Sequence, residues 1–322
     1  MRRLLLGAAA LAALAIALAA IGLALAHRAM RAERTPLPDE SAIAAAIATD
    51  DPPVRLSIAN TASQEMPRSS VLSAGQDPAP NERYVMSHPS FVLEWPDGRI
   101  LLLDAGMTRA GASGFGRPLE WLGGARPIAP HGSAAEQLGD ARARVRAIAF
   151  THLHVDHVGG TVELCEGRSA PLAVLLNEAQ DARPNFTTRP GRRVLADLPC
   201  ARVERLSSEG IVPLPGFPGV AGIHAGGHTP GSEIYVAAVG KGADARRYVF
   251  TGDIVNALDG LAHDVPKPFL YRLLMVPEDD ARQHELRVFL RSLVDAGYRP
   301  LVSHDELALA ASGVPAWRSP NP

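Results

Sequence analysis

The 322-residue chain has a formal net charge of -2 and a pI near 6.6, so no overall basic field points to nucleic acid. With 47% hydrophobic and 20% charged residues it is an ordinary globular chain carrying an apolar supplement, long enough for one large domain plus an appendage. Of its basic residues only Lys241 and Lys267 are lysines, which reflects composition more than guanidinium chemistry.

The supplement lies at the front. Leu4 to Ala26 is uncharged and follows Arg2 and Arg3. About 20 apolar residues span a bilayer as a helix, whereas a signal-peptide core needs about 7–15. Residues 1–27 are therefore read as a signal-anchor, with secretion as the alternative because Ala24-Leu25-Ala26 suits cleavage. Arg28, Arg31 and Arg34 follow the run, so the flanking charges do not orient it cleanly. The expectation is a membrane-anchored protein whose bulk faces the periplasm. Cys165 and Cys200 can pair there, although two isolated cysteines are a weak signal and the plainer reading is two buried thiols. Residues 28–53 read as a linker holding one short Ala-rich helix capped by Asp39 or Ser41. The domain then runs over 54–322.

Its first strand is expected at Val54–Asn60. "SFVLEWPDGRILLLDAG" follows as a hairpin ending at Asp104 and Gly106. The glycine-rich stretch after Gly106, with Phe115 and Trp121, reads as an irregular, mobile pocket lid. Val145–Phe150 is a buried strand by its apolar, β-branched run, and "PLAVLLN" is another, leading into a helix at "EAQDAR". Further strands end in the glycine turns of "VAGIHAGGHTPGS" and "RRYVFTGD". "PEDDARQHELRVFLRSLVDAGY" is helical, with acids at its start and Gly297 at its end, and "RPLVSHDE" is a strand delivering His304. Strands that repeatedly end in polar clusters, with helices between, describe an α/β layered domain whose site lies along one sheet edge.

The chemistry concentrates in "THLHVDHVGG". His152 and His154 alternate by two, as on an extended strand end, so both rings can face one side. Asp156 and His157 follow as the chain turns and can reach a second position. Imidazole and carboxylate are the ligands that borderline divalent metals such as zinc take. Further ligands must come from other strand ends, where the chain offers His228 in "GGHTPGS", Asp253 in "FTGDIV" and His304 in "VSHDE".

With "LLLDAG", these motifs resemble the metallo-β-lactamase superfamily from about Val54 to the C-terminus. The resemblance implies an αββα sandwich of two mixed β-sheets with metals at one rim. His152, His154 and His228 would hold one metal, Asp156, His157 and His304 the other, and Asp253 would bridge both. Asp104 resembles the family's early aspartate, which supports the site from behind. Two Zn2+ ions are implied, with Mn2+ or Fe2+ as alternatives. A pair of metals about 3.5–4 Å apart can share a hydroxide, the nucleophile of a metal-assisted hydrolysis, with Asp156 or Asp253 moving the proton to the leaving group.

Within the superfamily the chain looks most like the N-acyl-homoserine lactonases. The common zinc β-lactamases carry a cysteine where Asp253 stands, and the glutathione-binding tail of glyoxalase II has no counterpart after His304. One departure weakens the match: lactonases of this group carry a tyrosine three residues after the bridging aspartate, and this chain has Asn256. The expected substrate is a small lactone or related ester, with no nucleic acid, and the membrane is engaged through the N-terminal helix. The other readings are thioester or phosphodiester hydrolysis on the same site, and a catalytically silent metal-binding protein. Asn256 and His263 are candidate substrate contacts. His224 reads as a structural strand-end residue, Phe269 and Tyr271 read as core packing with an apolar wall for an acyl chain as the alternative, and His88 and His131 have no role here.

Overall fold

In the computed structural model, which describes residues 2–31, 34–122 and 124–318, twelve strands build two sheets. The remaining residues, including 319–322 of the expected 54–322 domain and 32 and 33 of the expected linker, lie outside the described residues. The first sheet has the order β4-β1-β2-β3-β5-β6-β7. Its members are β1 (Arg55–Met66), β2 (Tyr84–Glu94), β3 (Ile100–Leu103), β4 (Ala129–Pro130), β5 (Val145–Ala149), β6 (Leu172–Asn177) and β7 (Ala201–Leu206). The second, ordered β12-β11-β10-β9-β8, contains β8 (Ile211–Pro213), β9 (Val220–His224), β10 (Glu233–Val239), β11 (Arg246–Phe250) and β12 (Tyr298–Leu301). Both are mixed: β1, β2 and β3 pair antiparallel while β3, β5, β6 and β7 pair parallel, and β12 runs parallel to β11 beside antiparallel neighbours.

The continuous apolar runs follow from burial on both faces. In β3, Leu101 and Leu103 face the second sheet, and Ile100 and Leu102 face the outer helices. Ala147, Ala149 and Leu175 join the inner layer, where Tyr235, Ala237 and Phe250 meet them from the other sheet. The Phe91 and Phe250 rings pack edge to face across it, 4.9 Å apart. On the far side of the second sheet, Ile234, Val236 and Val249 pack on Leu286, Leu290 and Leu293 of the helix Asp280–Asp295. The layers are therefore helix, sheet, sheet, helix, as the motifs imply.

Local expectations hold with adjustments. The β2–β3 hairpin turns at Asp97 and Gly98, whose φ of 83° a side chain would strain. Asn177 caps the helix Glu178–Ala182 through Gln180. The first strand, expected to stop at Asn60, continues to Met66 because its polar second half still pairs with β2 across a bulge between Asn60 and Ser63. Within the expected linker the Ala-rich helix forms, Glu40–Ala46 capped by Asp39, and its Ile43 and the C-cap residue Ile47 are buried under the second sheet. The glycine-rich stretch is not irregular. It forms a helix, Arg109–Leu122, whose Gly116 lets Ile128 approach closely. Cys165 and Cys200 are joined in a disulfide, so neither is a free thiol. The N-terminal helix Arg2–Arg31 contains Leu6–Arg31, which is long and apolar enough to cross a membrane, with mean hydropathy 2.5 and none of its most apolar window buried.

Candidate metal centre

Two pairs of parallel strands, β3/β5 and β11/β12, bring four strand ends to one rim. Asp104 follows β3, His152 follows β5, Asp253 follows β11 and His304 follows β12. Backbone bonds tie these ends together: Asp104 N to Ala149 O at 2.9 Å, and Glu233 N to Thr151 O at 2.7 Å across the sheets. Gly252 has φ 49°, and a Cβ there would stand 2.8 Å from Thr151 Cβ, so only glycine lets the Asp253 turn lie this close to the histidine motif. His228 enters from the turn after β9.

All seven of His152, His154, Asp156, His157, His228, Asp253 and His304 come together. Ligand atoms of His152, His154, His228 and Asp253 lie within 4.8 Å of one another, and so do those of His157, Asp253 and His304. Asp253 belongs to both groups. A third group, His88, Asp156 and His304, adjoins them.

Each histidine is held from outside by one ring nitrogen, which leaves the other aimed inward. His157 Nδ1 donates to Asp104 at 2.9 Å, His304 Nδ1 to Ser87 O at 2.7 Å, and His228 Nδ1 to Glu278 at 2.6 Å. His154 Nε2 lies 2.9 Å from Thr187 Oγ1, and His152 Nδ1 lies 3.1 Å from Thr151 Oγ1. The inward nitrogens then crowd together: His152 Nε2 is 2.9 Å and His228 Nε2 3.3 Å from His154 Nδ1, and the His157 and His304 Nε2 atoms are 3.3 Å apart. Outer partners of this kind set the tautomer of metal-ligating imidazoles.

The electrostatics agree. Burial, with the neighbouring histidines and Lys267, lowers His228, drives His152 well down and takes His154 to about 3, so these rings are neutral, the form that coordinates. Burial also opposes charge on His157 and His304, but the surrounding carboxylates outweigh it and raise both. Asp156 and Asp253 are lowered despite burial, because histidines surround them. Asp253 Oδ1 has no hydrogen bond although His304 Nε2 and His157 Nε2 stand 3.1 and 3.2 Å away. The convergent neutral nitrogens of His152, His154 and His228, and the carboxylates gathered against His157 and His304, fit bound divalent cations better than a hydrogen-bonded core.

Asp104 lies behind the ligands. Besides His157, its carboxylate accepts from Thr151 N and Thr151 Oγ1, both at 2.8 Å, and its φ of 60° is strained. Asn256 is buried, and its backbone carbonyl shares the Tyr84 hydroxyl donor with that of His304. His263 is not brought into the cluster; its ring is half exposed, 4.0 Å from Asp259. His224 is structural, with Nε2 2.8 Å from Pro230 O.

Three residues escaped sequence reasoning. His88, given no role there, is buried with Nδ1 3.2 Å from Asp156, and its ring packs against Phe115 and His304. Lys267 donates to Glu278, at 2.7 Å, and to Asp253 O. Glu278 looked like one of several acids at a helix start, but Asp279 is the cap and Glu278 turns to His228 instead. One of only two lysines in the chain was the available signal.

The metallo-beta-lactamase superfamily model matches residues 83–289, more than half of the chain. Among solved structures, an N-acyl homoserine lactone hydrolase with N-hexanoyl-L-homoserine at its catalytic metal centre is 18% identical, with a TM-score of 0.59, covering 81% of this chain and 96% of that one. The dizinc quorum-quenching lactonase AidC is 14% identical, TM-score 0.52, covering 80% and 91%. A probable metal-dependent hydrolase from Staphylococcus aureus is 14% identical, TM-score 0.53, covering 79% and 91%. Comparison with curated protein sequences gives no match. At these identities the structural likeness speaks to fold alone. The family model and the rim of histidines and aspartates agree: the chain belongs to the metallo-β-lactamase superfamily.

Proposed function

We propose that the protein is a dinuclear-metal hydrolase that opens a lactone or related ester. His152, His154 and His228 would hold one cation and Asp156, His157 and His304 the other, with Asp253 available to both. The observation that carries this reading is the pair of buried ligand groups sharing Asp253, every histidine anchored outside by one nitrogen. Zinc suits the imidazole-rich set best, with Mn2+ or Fe2+ as substitutes.

When bound, the pair supplies an acidified water and polarises the scissile carbonyl. The chain's own residues do the rest. Asp104, Glu278, Ser87 and Thr187 hold the rings in one tautomer. Asp156 and Asp253, both kept ionised, are the groups that take a proton and pass it to the leaving oxygen. The Asn256 amide is the candidate donor to the substrate carbonyl. The lactone preference draws on the motifs and on the fold shared with lactone hydrolases. Metal-loaded protein is expected to turn over an N-acyl homoserine lactone faster than a thioester or a phosphodiester dye. Phosphodiester turnover without lactone opening would contradict the reading.

The anchor reading extends to location. We place residues 1–27 in a membrane and 54–322 outside the cytoplasm. The Cys165–Cys200 disulfide supports this, since such bonds persist in oxidising compartments.

A further inference from the structure

Large apolar side chains stand exposed on two segments beside the metal centre, the turn that holds Phe186 and a helical stretch over 269–275 that ends in the π-helix Tyr271–Met275. Phe186 is 47% exposed, and Phe269, Leu270, Leu274 and Met275 are 61%, 64%, 54% and 58% exposed. Phe269, expected in the core, is therefore outside it. These segments also carry the side chains that hold the ligands. Thr187 is bonded to His154, while Lys267 and Glu278 flank the helical stretch and meet Asp253 and His228.

The same segments meet the N-terminal helix. His27 Nε2 is 3.1 Å from Leu273 O and Met30 is buried beside Asn185, while Arg34, past the end of the helix, makes a bidentate pair with Asp279, the cap of the helix Asp280–Asp295. A cleft of about 960 Å³ is walled on one side by Gly22, Leu23 and Ala26 and on the other by Phe186, Arg189 and Leu274. Gly22 to Ala26 lie in the uncharged run. If that run spans a bilayer, Phe186 and Leu274 sit at bilayer depth too. The helical span of 26 residues is ~39 Å long at ~1.5 Å per residue, longer than the ~30 Å hydrocarbon core. Its last turns therefore emerge where they dock. Arg28, Arg31, Arg183, Arg189 and Arg193 ring this face, where Glu278, Asp279 and Asp280 are paired with Lys267, Arg34 and Arg272 and Asp197 is a further acid, a net basic pattern suited to anionic headgroups.

We propose that this face, an apolar collar of Phe186, Phe269, Leu270, Leu274 and Met275 around the anchor, rests in an anionic lipid surface, so that the metal centre opens toward the membrane and takes an amphiphilic, long-acyl ester or lactone from it. This deepens the hydrolase reading and rests on it for the reaction, though not for the docking. Apolar area and basic rim both favour the interface, and an acyl chain already in the bilayer needs no passage through water to reach the segments over His154 and His228.

The test uses the full chain in vesicles of phosphatidylcholine and phosphatidylglycerol doped with doxyl-labelled lipid. Tryptophan is introduced as Phe269→Trp or Leu274→Trp, with Val294→Trp at the far end of the helix Asp280–Asp295 as the reference. Strong doxyl quenching at 269 and 274 but not at 294 is expected, and equal quenching at all three overturns the docking. The second arm compares vesicle-borne N-dodecanoyl homoserine lactone with soluble N-butanoyl homoserine lactone. The pair Leu270→Asp and Leu274→Asp should lower turnover of the former about tenfold or more and of the latter less than about twofold. Equal loss on both lactones overturns the lipid-borne substrate. Failure of the parent to open either lactone strikes the hydrolase reading instead, and the quenching still decides the docking.

Discussion

Glu278 Oε1 lies 2.6 Å from His228 Nδ1, on the side of the ring facing away from the other ligands, and 2.7 Å from Lys267 Nζ. All three side chains are buried. The carboxylate thus fixes the His228 tautomer while Lys267 offsets its charge and also reaches the Asp253 carbonyl. Glu278→Gln is expected to weaken metal binding about 10–100-fold, read by chelator competition. Unchanged affinity would mean that the pair only fills space.

Asp104 does the same for His157, with Thr151 holding the carboxylate in place. Asp104→Asn keeps the shape but removes the charge that favours Nδ1–H. A loss of about 10–100-fold in affinity is expected for one of two metals, with the other retained. Stepwise metal titration separates the two, and equal loss of both would show that Asp104 supports the rim rather than one position.

Glu233, which is not one of the ligands although its N–H bonds Thr151 O, makes a pH prediction. Burial between the sheets pushes its carboxyl up to about 7 from the ordinary 4.5, with Tyr235 OH as its neighbour. The folded state then binds the proton more tightly than the unfolded chain, so stability falls as pH rises from about 4.5 to about 7 and levels off above. The loss is on the order of 3 kcal/mol at most. Glu233→Gln should flatten this window in denaturant unfolding, measured as the difference from parent at about pH 5 and about pH 8. A parallel pH profile in both proteins would rule the group out.

The disulfide closes a separation of 35 residues between the helix Thr161–Cys165 and the start of β7. Replacing both cysteines by serine is expected to cost about 3–4 kcal/mol of unfolding free energy. An unchanged denaturant midpoint would show that the outer helices are held by packing alone.

The strand ends were legible because chemistry and pattern coincide there: an apolar run, then glycine or a small residue, then a histidine or aspartate. His152, His154, Asp156, His157, His228, Asp253 and His304 all stand out this way. His88 does not. It sits within β2, and only the register pairing β2 with β1 and β3 brings it to Asp156. Lys267 and Glu278 likewise meet through a turn whose geometry no local pattern specifies. The helix Arg109–Leu122 was hidden by its glycines and Pro118, whose poor intrinsic propensity is overridden by packing of Phe115 against His88 and of Gly116 against Ile128. The helix Glu40–Ala46 looked like part of a tether because alanine carries little burial signal, although Ile43 and Ile47 are its buried face.

The central claim is that seven side chains hold two cations. Elemental analysis of protein purified without added metal, before and after His154→Ala, tests it most directly. About two equivalents per chain are expected in the parent, in keeping with the two ligand groups, and loss of at least one with collapse of lactone turnover in the variant. A parent without stoichiometric metal, or a variant that keeps both metals and the parental rate, would contradict it.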